Sequence, residues 1–126
     1  MLQEPKKYTD TDHFFFYAEN FLEEVCNAPK DKDGVFKILE LRDGEVDLVY
    51  VGYSNSGGLY NEIVEGIHYD NNPRKLAWTY QLLRDGTDAL DIYWYSINGK
   101  GNQKKAQVEM LRNFVAIRGE LPKWNK

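Results

Sequence analysis

The sequence predicts an α+β domain: a small three-stranded antiparallel sheet flanked by helices, with an extra helix at the N-terminal end. Three observations lead there. The runs GVFKILEL from Gly34, VDLVYVGY from Val46 and ALDIYWYSI from Ala89 are short, rich in β-branched and aromatic residues, and bounded by turn residues. The stretches between and around them repeat their apolar residues at helical spacing instead. Three antiparallel strands cannot bury both faces alone, so the helices must cover them.

Taken in order, Thr11 to Cys26 places Phe14, Ala18, Phe21 and Val25 on one helical stripe with Glu19, Glu23 and Glu24 off it. Asp10 to Asp12 supplies caps for its start, and Asn27-Ala28-Pro29 ends it, because proline excludes helical geometry from the residue before it. Lys30 to Asp33 is a charged linker. Arg42-Asp43-Gly44-Glu45 joins the first two strands as a hairpin, the Asp-Gly pair suiting a tight turn, with Tyr50 on the face of Val46, Leu48 and Gly52. The loop Ser54 to Gly58 leads into a short helical stretch, Leu59 to Glu65, and Pro73 opens a further helix that Asp85-Gly86 closes. In the third strand Leu90, Ile92 and Trp94 alternate with Asp91, Tyr93 and Tyr95. The last helix, Gln103 to about Arg118, has Met110, Leu111, Phe114 and Val115 as its core face and turns Glu109 away from it.

A length of 126 residues with 42% hydrophobic and 29% charged content fits a single domain, read as a helical extension over 1–33 and a core over 34–126. No apolar run is long enough to span a membrane, and the first residues lack the apolar stretch of a signal peptide. The single cysteine, Cys26, cannot form an internal disulfide, so a cytoplasmic location is expected. Two histidines far apart and one cysteine give no zinc spacing. The net charge of −4 argues against a bulk-charge nucleic-acid binder, but it is segregated: residues 98–126 hold seven Lys or Arg against two Glu.

Gly34-Val35-Phe36 on the first strand and Tyr50-Val51-Gly52 on the second resemble the two half-motifs of the GIY-YIG nuclease superfamily. The order of the surrounding elements is similar too: hairpin, Ser-containing loop, two helices, a strand, then a helix with a glutamate, Glu109, and a closing Pro-Lys-Trp-Asn ending in Asn125. The resemblance covers 34–126 and implies an endonuclease that hydrolyses DNA phosphodiester bonds with one Mg²⁺ or Mn²⁺. Such chemistry needs a hard cation and cationic donors where phosphate charge develops. By resemblance, Glu109 holds the metal and Tyr50 contacts the attacking water, while Gly52, Ser54, Lys75 and Asn125 lie along the substrate. The family's helix arginine is missing from Leu59 to Glu65, which carries Glu62 and Glu65 instead, so Arg74, Lys75 or His68 is expected to supply the cation. Phe36 stands where the family has a tyrosine and brings no hydroxyl. These departures motivate an alternative: a GIY-YIG-like module whose site has decayed and which binds nucleic acid or protein. Tyr93 and Tyr95, opposite Trp94, offer stacking for unpaired bases only where they are exposed.

Overall fold

The computed structural model describes residues 8–17, 19–67, 86–98 and 101–125. The hairpin forms as its turn chemistry predicts. Strands β2 (Gly34–Arg42) and β3 (Glu45–Tyr53) are joined through Asp43 and Gly44, both at positive φ (53° and 81°), the pair of left-handed residues that a type I′ turn requires. The third predicted strand, Ala89–Ile97, pairs antiparallel with the other side of β2.

The N-terminal segment overturns the expectation of three strands and an extra helix. Tyr8–Phe16 is a strand, β1, and the sheet has four strands in the order β1-β4-β2-β3, with Ala89–Ile97 as β4. Only Leu22–Val25 of the expected helix is helical, as the single turn α1. The reason lies in β4, whose far side would otherwise be an open row of backbone donors and acceptors. Threonine and phenylalanine suit a pleated surface, and alternation buries Phe14 and Phe16 while leaving Phe15 40% exposed. Asp10 and Asp12, read as helix caps, instead accept the N–H groups of Thr11 (2.9 Å) and His13 (2.8 Å) on β1 itself. Asn27 donates to the His13 carbonyl at 3.2 Å, so the outer edge of β1 is closed by side chains.

The two faces of the sheet carry separate cores. Phe16, Phe36, Ile38 and Ile92 pack with Leu22 of α1 and with Leu59 and Ile63, which belong to α2 (Leu59–Asn61) and the π-helical turn Glu62–Ile67 that continues it. On the opposite face Val35, Val51 and Tyr95 pack against Ala106 of the long helix α3 (Asn102–Arg118). The buried side of α3 lies in its N-terminal half, at Gln103 and Ala106, whereas Val115, expected in the core, is substantially exposed. The helix predicted from Pro73 lies outside the described residues. Among the described residues no helix is long and apolar enough to cross a membrane.

A β-bulge re-aims the middle of β3. Ile38 faces Tyr50 but its neighbour Leu39 faces Leu48, leaving Val49 as the extra residue. Val49 and Tyr50 therefore both join the α1/α2 face while Leu48 joins the α3 face, so Tyr50 and Leu48 do not share a side as strict alternation predicts.

After α3 the chain folds back at Gly119 (φ 80°), crosses the edge of β3 and reaches the other face. Trp124 donates its backbone N–H to the Val49 carbonyl at 2.9 Å and sets its ring against the α1/α2 core. Lys123 meets the buried Glu40 carboxylate at 2.6 Å. Nearby, burial pushes the Cys26 thiol up to about 11, partly offset by a hydrogen bond from the Ala28 backbone. The native protein at pH 8 is accordingly expected to leave Ellman's reagent unreacted until it unfolds, and rapid native-state labelling would contradict that burial.

Candidate functional site

The half-motif residues are largely occupied in holding the hairpin to its neighbours. A side chain at Gly34 would run into the Tyr95 carbonyl oxygen of β4. One at Gly52 would lie 2.5 Å from Phe36 Cζ and 2.8 Å from Tyr50 Cε2. The Phe36 and Tyr50 rings stand 6.0 Å apart, with Phe36 wholly buried and Tyr50 partly so. Ser54 is buried: its hydroxyl accepts the Gly34 N–H (3.0 Å) and donates to Asp33 Oδ1 (2.8 Å), which also accepts the Gly58 N–H (2.9 Å). These bonds fix the loop after β3 against the start of β2.

Asn125 acts on backbone. Its Oδ1 accepts the Val51 N–H at 2.8 Å and its Nδ2 donates to the Val51 carbonyl at 3.0 Å, so one amide side chain pairs with the edge of β3 as a neighbouring strand residue would. Gln107 of α3 adds a third bond, to the same carbonyl at 3.1 Å. The amide of Asn125 is thus engaged at the edge of the motif strand.

Tyr50 and Glu109 are separated by the sheet. Tyr50 belongs to the α1/α2 face, whereas Glu109 lies on the exposed side of α3, which covers the other face. There Glu109 shares a groove of about 550 Å³ with Lys104, Lys105, Val108, Arg112 and Asn113. A divalent ion needs several oxygen ligands, usually including further carboxylates. Among the described residues no three His, Cys, Asp or Glu side chains are grouped to hold one, and the charged neighbours of Glu109 in the groove are cations. These residues do not fit a metal centre. Arg74, His68 and Lys75 lie outside the described residues.

No protein-family model matches the chain, and neither a curated protein nor a solved structure does. What bears on its function is the chemistry of these side chains.

Two features of the α3 side stand out. Lys104, Lys105 and Arg112 line the outer groove with no ion pair among the described residues, whereas Arg118 is tied to Asp47 (3.4 Å) and Lys123 to Glu40. Among the described residues of α3, these three cations share one exposed groove.

The second feature escapes sequence reasoning because Thr11 to Cys26 reads as helix. His13 on β1, Tyr93 on β4 and Lys37 on β2 form one row across the sheet. The His13 ring stacks on Tyr93 (4.6 Å, 9°), and Lys37 Nζ lies 5.3 Å from the same ring centre. The buried Asp91 holds His13 Nδ1 at 2.8 Å. Burial, and then the charge and hydrogen bond of Asp91, push the Tyr93 phenol above its usual range. A carboxylate on one ring nitrogen fixes a histidine's plane, and here it keeps the cross-strand stack in register. The alternation Thr11, His13, Phe15 against Asp91, Tyr93, Tyr95 was the available signal.

Proposed function

We propose that the chain is a non-hydrolytic nucleic-acid-binding module built on its four-stranded sheet, meeting the phosphate backbone through the outer face of α3. The observation carrying this reading is the row Lys104, Lys105 and Arg112, which lies beside Glu109 and has no acid paired to it among the described residues. Cations spaced along a helix neutralise phosphates and release counterions, which gives affinity without sequence preference. The separation of Tyr50 from Glu109, and the engagement of Ser54 and Asn125 with backbone or loop groups, favour binding over metal-assisted hydrolysis.

The test is binding to a labelled duplex at several salt concentrations. Replacing Lys104, Lys105 and Arg112 together by alanine is expected to weaken binding across sequences and lower the salt slope by about 2 to 3, close to one unit for each phosphate that is no longer neutralised. An unchanged slope would count against α3 as the phosphate-facing surface. Supercoiled plasmid incubated with Mn²⁺ is expected to stay intact, and nicking that a Glu109→Ala variant abolishes would restore the endonuclease reading.

A further inference from the structure

At the N-terminal end of α3, on the turn that carries Lys104 and Lys105, a cleft of about 360 Å³ opens between five separate chain segments. Its size lies at the small end of the about 300–1,000 Å³ typical of small-molecule sites, room for one heterocycle rather than an extended chain. Ile97, buried at the end of β4, provides an apolar wall. Around it stand three side-chain amides, those of Asn55, Asn98 and Gln103.

Gln103 is only 5% exposed, and its amide nitrogen donates to the Asn55 backbone carbonyl at 3.3 Å. Its side-chain carbonyl oxygen takes no hydrogen bond among the described residues, and Gln103 is one of the residues that line the cleft. Asn55 and Asn98 use their main-chain carbonyls, for Gln103 and Asn102 respectively, and keep their side-chain amides out of any hydrogen bond with the described residues. Asp31, Lys32 and Asp33 line the cleft with two acids against one lysine, so it disfavours an anion and suits a neutral group. Side-chain amides present paired donors and acceptors, the pattern that matches the edge of a nucleobase.

We propose that this cleft receives one unpaired nucleobase of a single-stranded nucleic acid whose phosphates run along Lys104, Lys105 and Arg112. The inference rests on the reading of α3 as the phosphate-facing surface, and it adds what that surface selects. Gln103 belongs to the cleft while Gly101, Lys104 and Lys105 belong to the basic groove, so one helical turn joins the two sites. A duplex hides the Watson–Crick edge of a base and keeps the base stacked, whereas a single strand can present that edge and place the whole base in the cleft.

Fluorescence anisotropy with the full chain tests this, using a short mixed-sequence DNA strand, the RNA strand of the same sequence, and the blunt DNA duplex. At least one single strand is expected to bind about tenfold or more tightly than the duplex, the discrimination that one well-placed amide–base pairing supplies. The variant Asn55→Ala/Asn98→Ala is expected to remove that advantage and leave duplex binding unchanged. Both side chains are exposed and their backbone bonds remain, so the variant should keep the wild-type melting temperature. Loss of the advantage with DNA, RNA or both supports the base site and identifies the sugar it accepts. Equal binding of strand and duplex, or a strand preference that the double variant retains, overturns the cleft while the phosphate-facing reading of α3 stands. Absence of binding by every probe overturns both.

Discussion

Alanine at position 34 is expected to cost about 3 kcal/mol of folding stability, the upper end of what overpacking a tight site costs. Gly34 opposes Ser96 across the β2–β4 pairing, and its added methyl would meet the backbone oxygen of Tyr95, an atom that cannot move without breaking that pairing. The same residue is held from the other side, where Ser54 accepts its N–H at 3.0 Å and donates its own N–H to the Gly34 carbonyl at 2.9 Å. A shift of Gly34 to relieve the clash would therefore loosen the loop after β3 as well. Urea unfolding should show a lower midpoint at an unchanged slope. Gly119→Ala is the comparison: nothing crowds that position, and only its φ of 80° opposes a side chain, so about 1 kcal/mol is expected. If the two variants unfold at the same midpoint, the close approach of β2 to β4 is not what Gly34 provides.

Removing both cations from Glu40 is expected to cost about 3–5 kcal/mol, because it leaves a buried carboxylate without its counter-charges. Glu40 is 3% exposed and is met by Lys123 Nζ (2.6 Å), Arg42 Nη2 (3.1 Å) and the Thr87 hydroxyl. Removing Glu40 alone is milder, since Arg42 and Lys123 are both partly exposed and can return to water. Arg42→Ala/Lys123→Ala should therefore be the damaging change, and adding Glu40→Met should recover most of the loss. The pH dependence separates this from simple loss of packing. In the wild type burial pushes the Glu40 carboxyl up, but the hydrogen bonds from Lys123, Thr87 and Arg42 outweigh it and hold the group below the usual glutamate range. The unfolded chain thus takes up the proton first. The contribution of Glu40 is complete above the unfolded pKa of about 4.3 and disappears as pH falls through the lower folded value. With both cations gone burial dominates, the folded value rises above the unfolded one, and the contribution of this group changes sign: the double variant should gain on the wild type as pH falls. A constant gap between the two across the acid range would show that the cations do not act through Glu40.

The parts of the fold visible in the sequence are those set by neighbours along the chain. Asp43-Gly44 specifies its own turn, Leu90, Ile92 and Trp94 alternate cleanly, and Gly119 marks the end of α3. The N-terminal strand was not visible because Phe14, Ala18, Phe21 and Val25 satisfy a helical stripe while Phe14 and Phe16 equally satisfy a strand. What decides between them is the open side of β4, far away in sequence. The bulge at Val49 is hidden for the same reason, since a bulge exists only relative to a partner strand. At the site, charge counting already placed positive residues near the C-terminal end, and helical period turned Glu109 outward. It could not show that α3 would put Glu109 and Tyr50 on opposite faces. The cleft was least legible of all, because Asp31, Asn55, Asn98 and Gln103 come from segments that only the finished sheet brings together.

The closure of both sheet edges by side chains has a consequence for the newly made chain. Val51 waits 74 residues for the Asn125 amide that covers it, whereas the His13 carbonyl on the outer edge of β1 waits only 14 for Asn27. At a synthesis rate of about 5–20 residues per second, the edge of β3 stays open for about 4 to 15 s after it is made. During that interval the β2–β3 hairpin offers an uncovered strand to any neighbouring chain, a hazard absent from the finished molecule. The yield of folded protein should therefore depend on translation speed and on chaperones that shield the hairpin, even where the stability of the completed fold does not change.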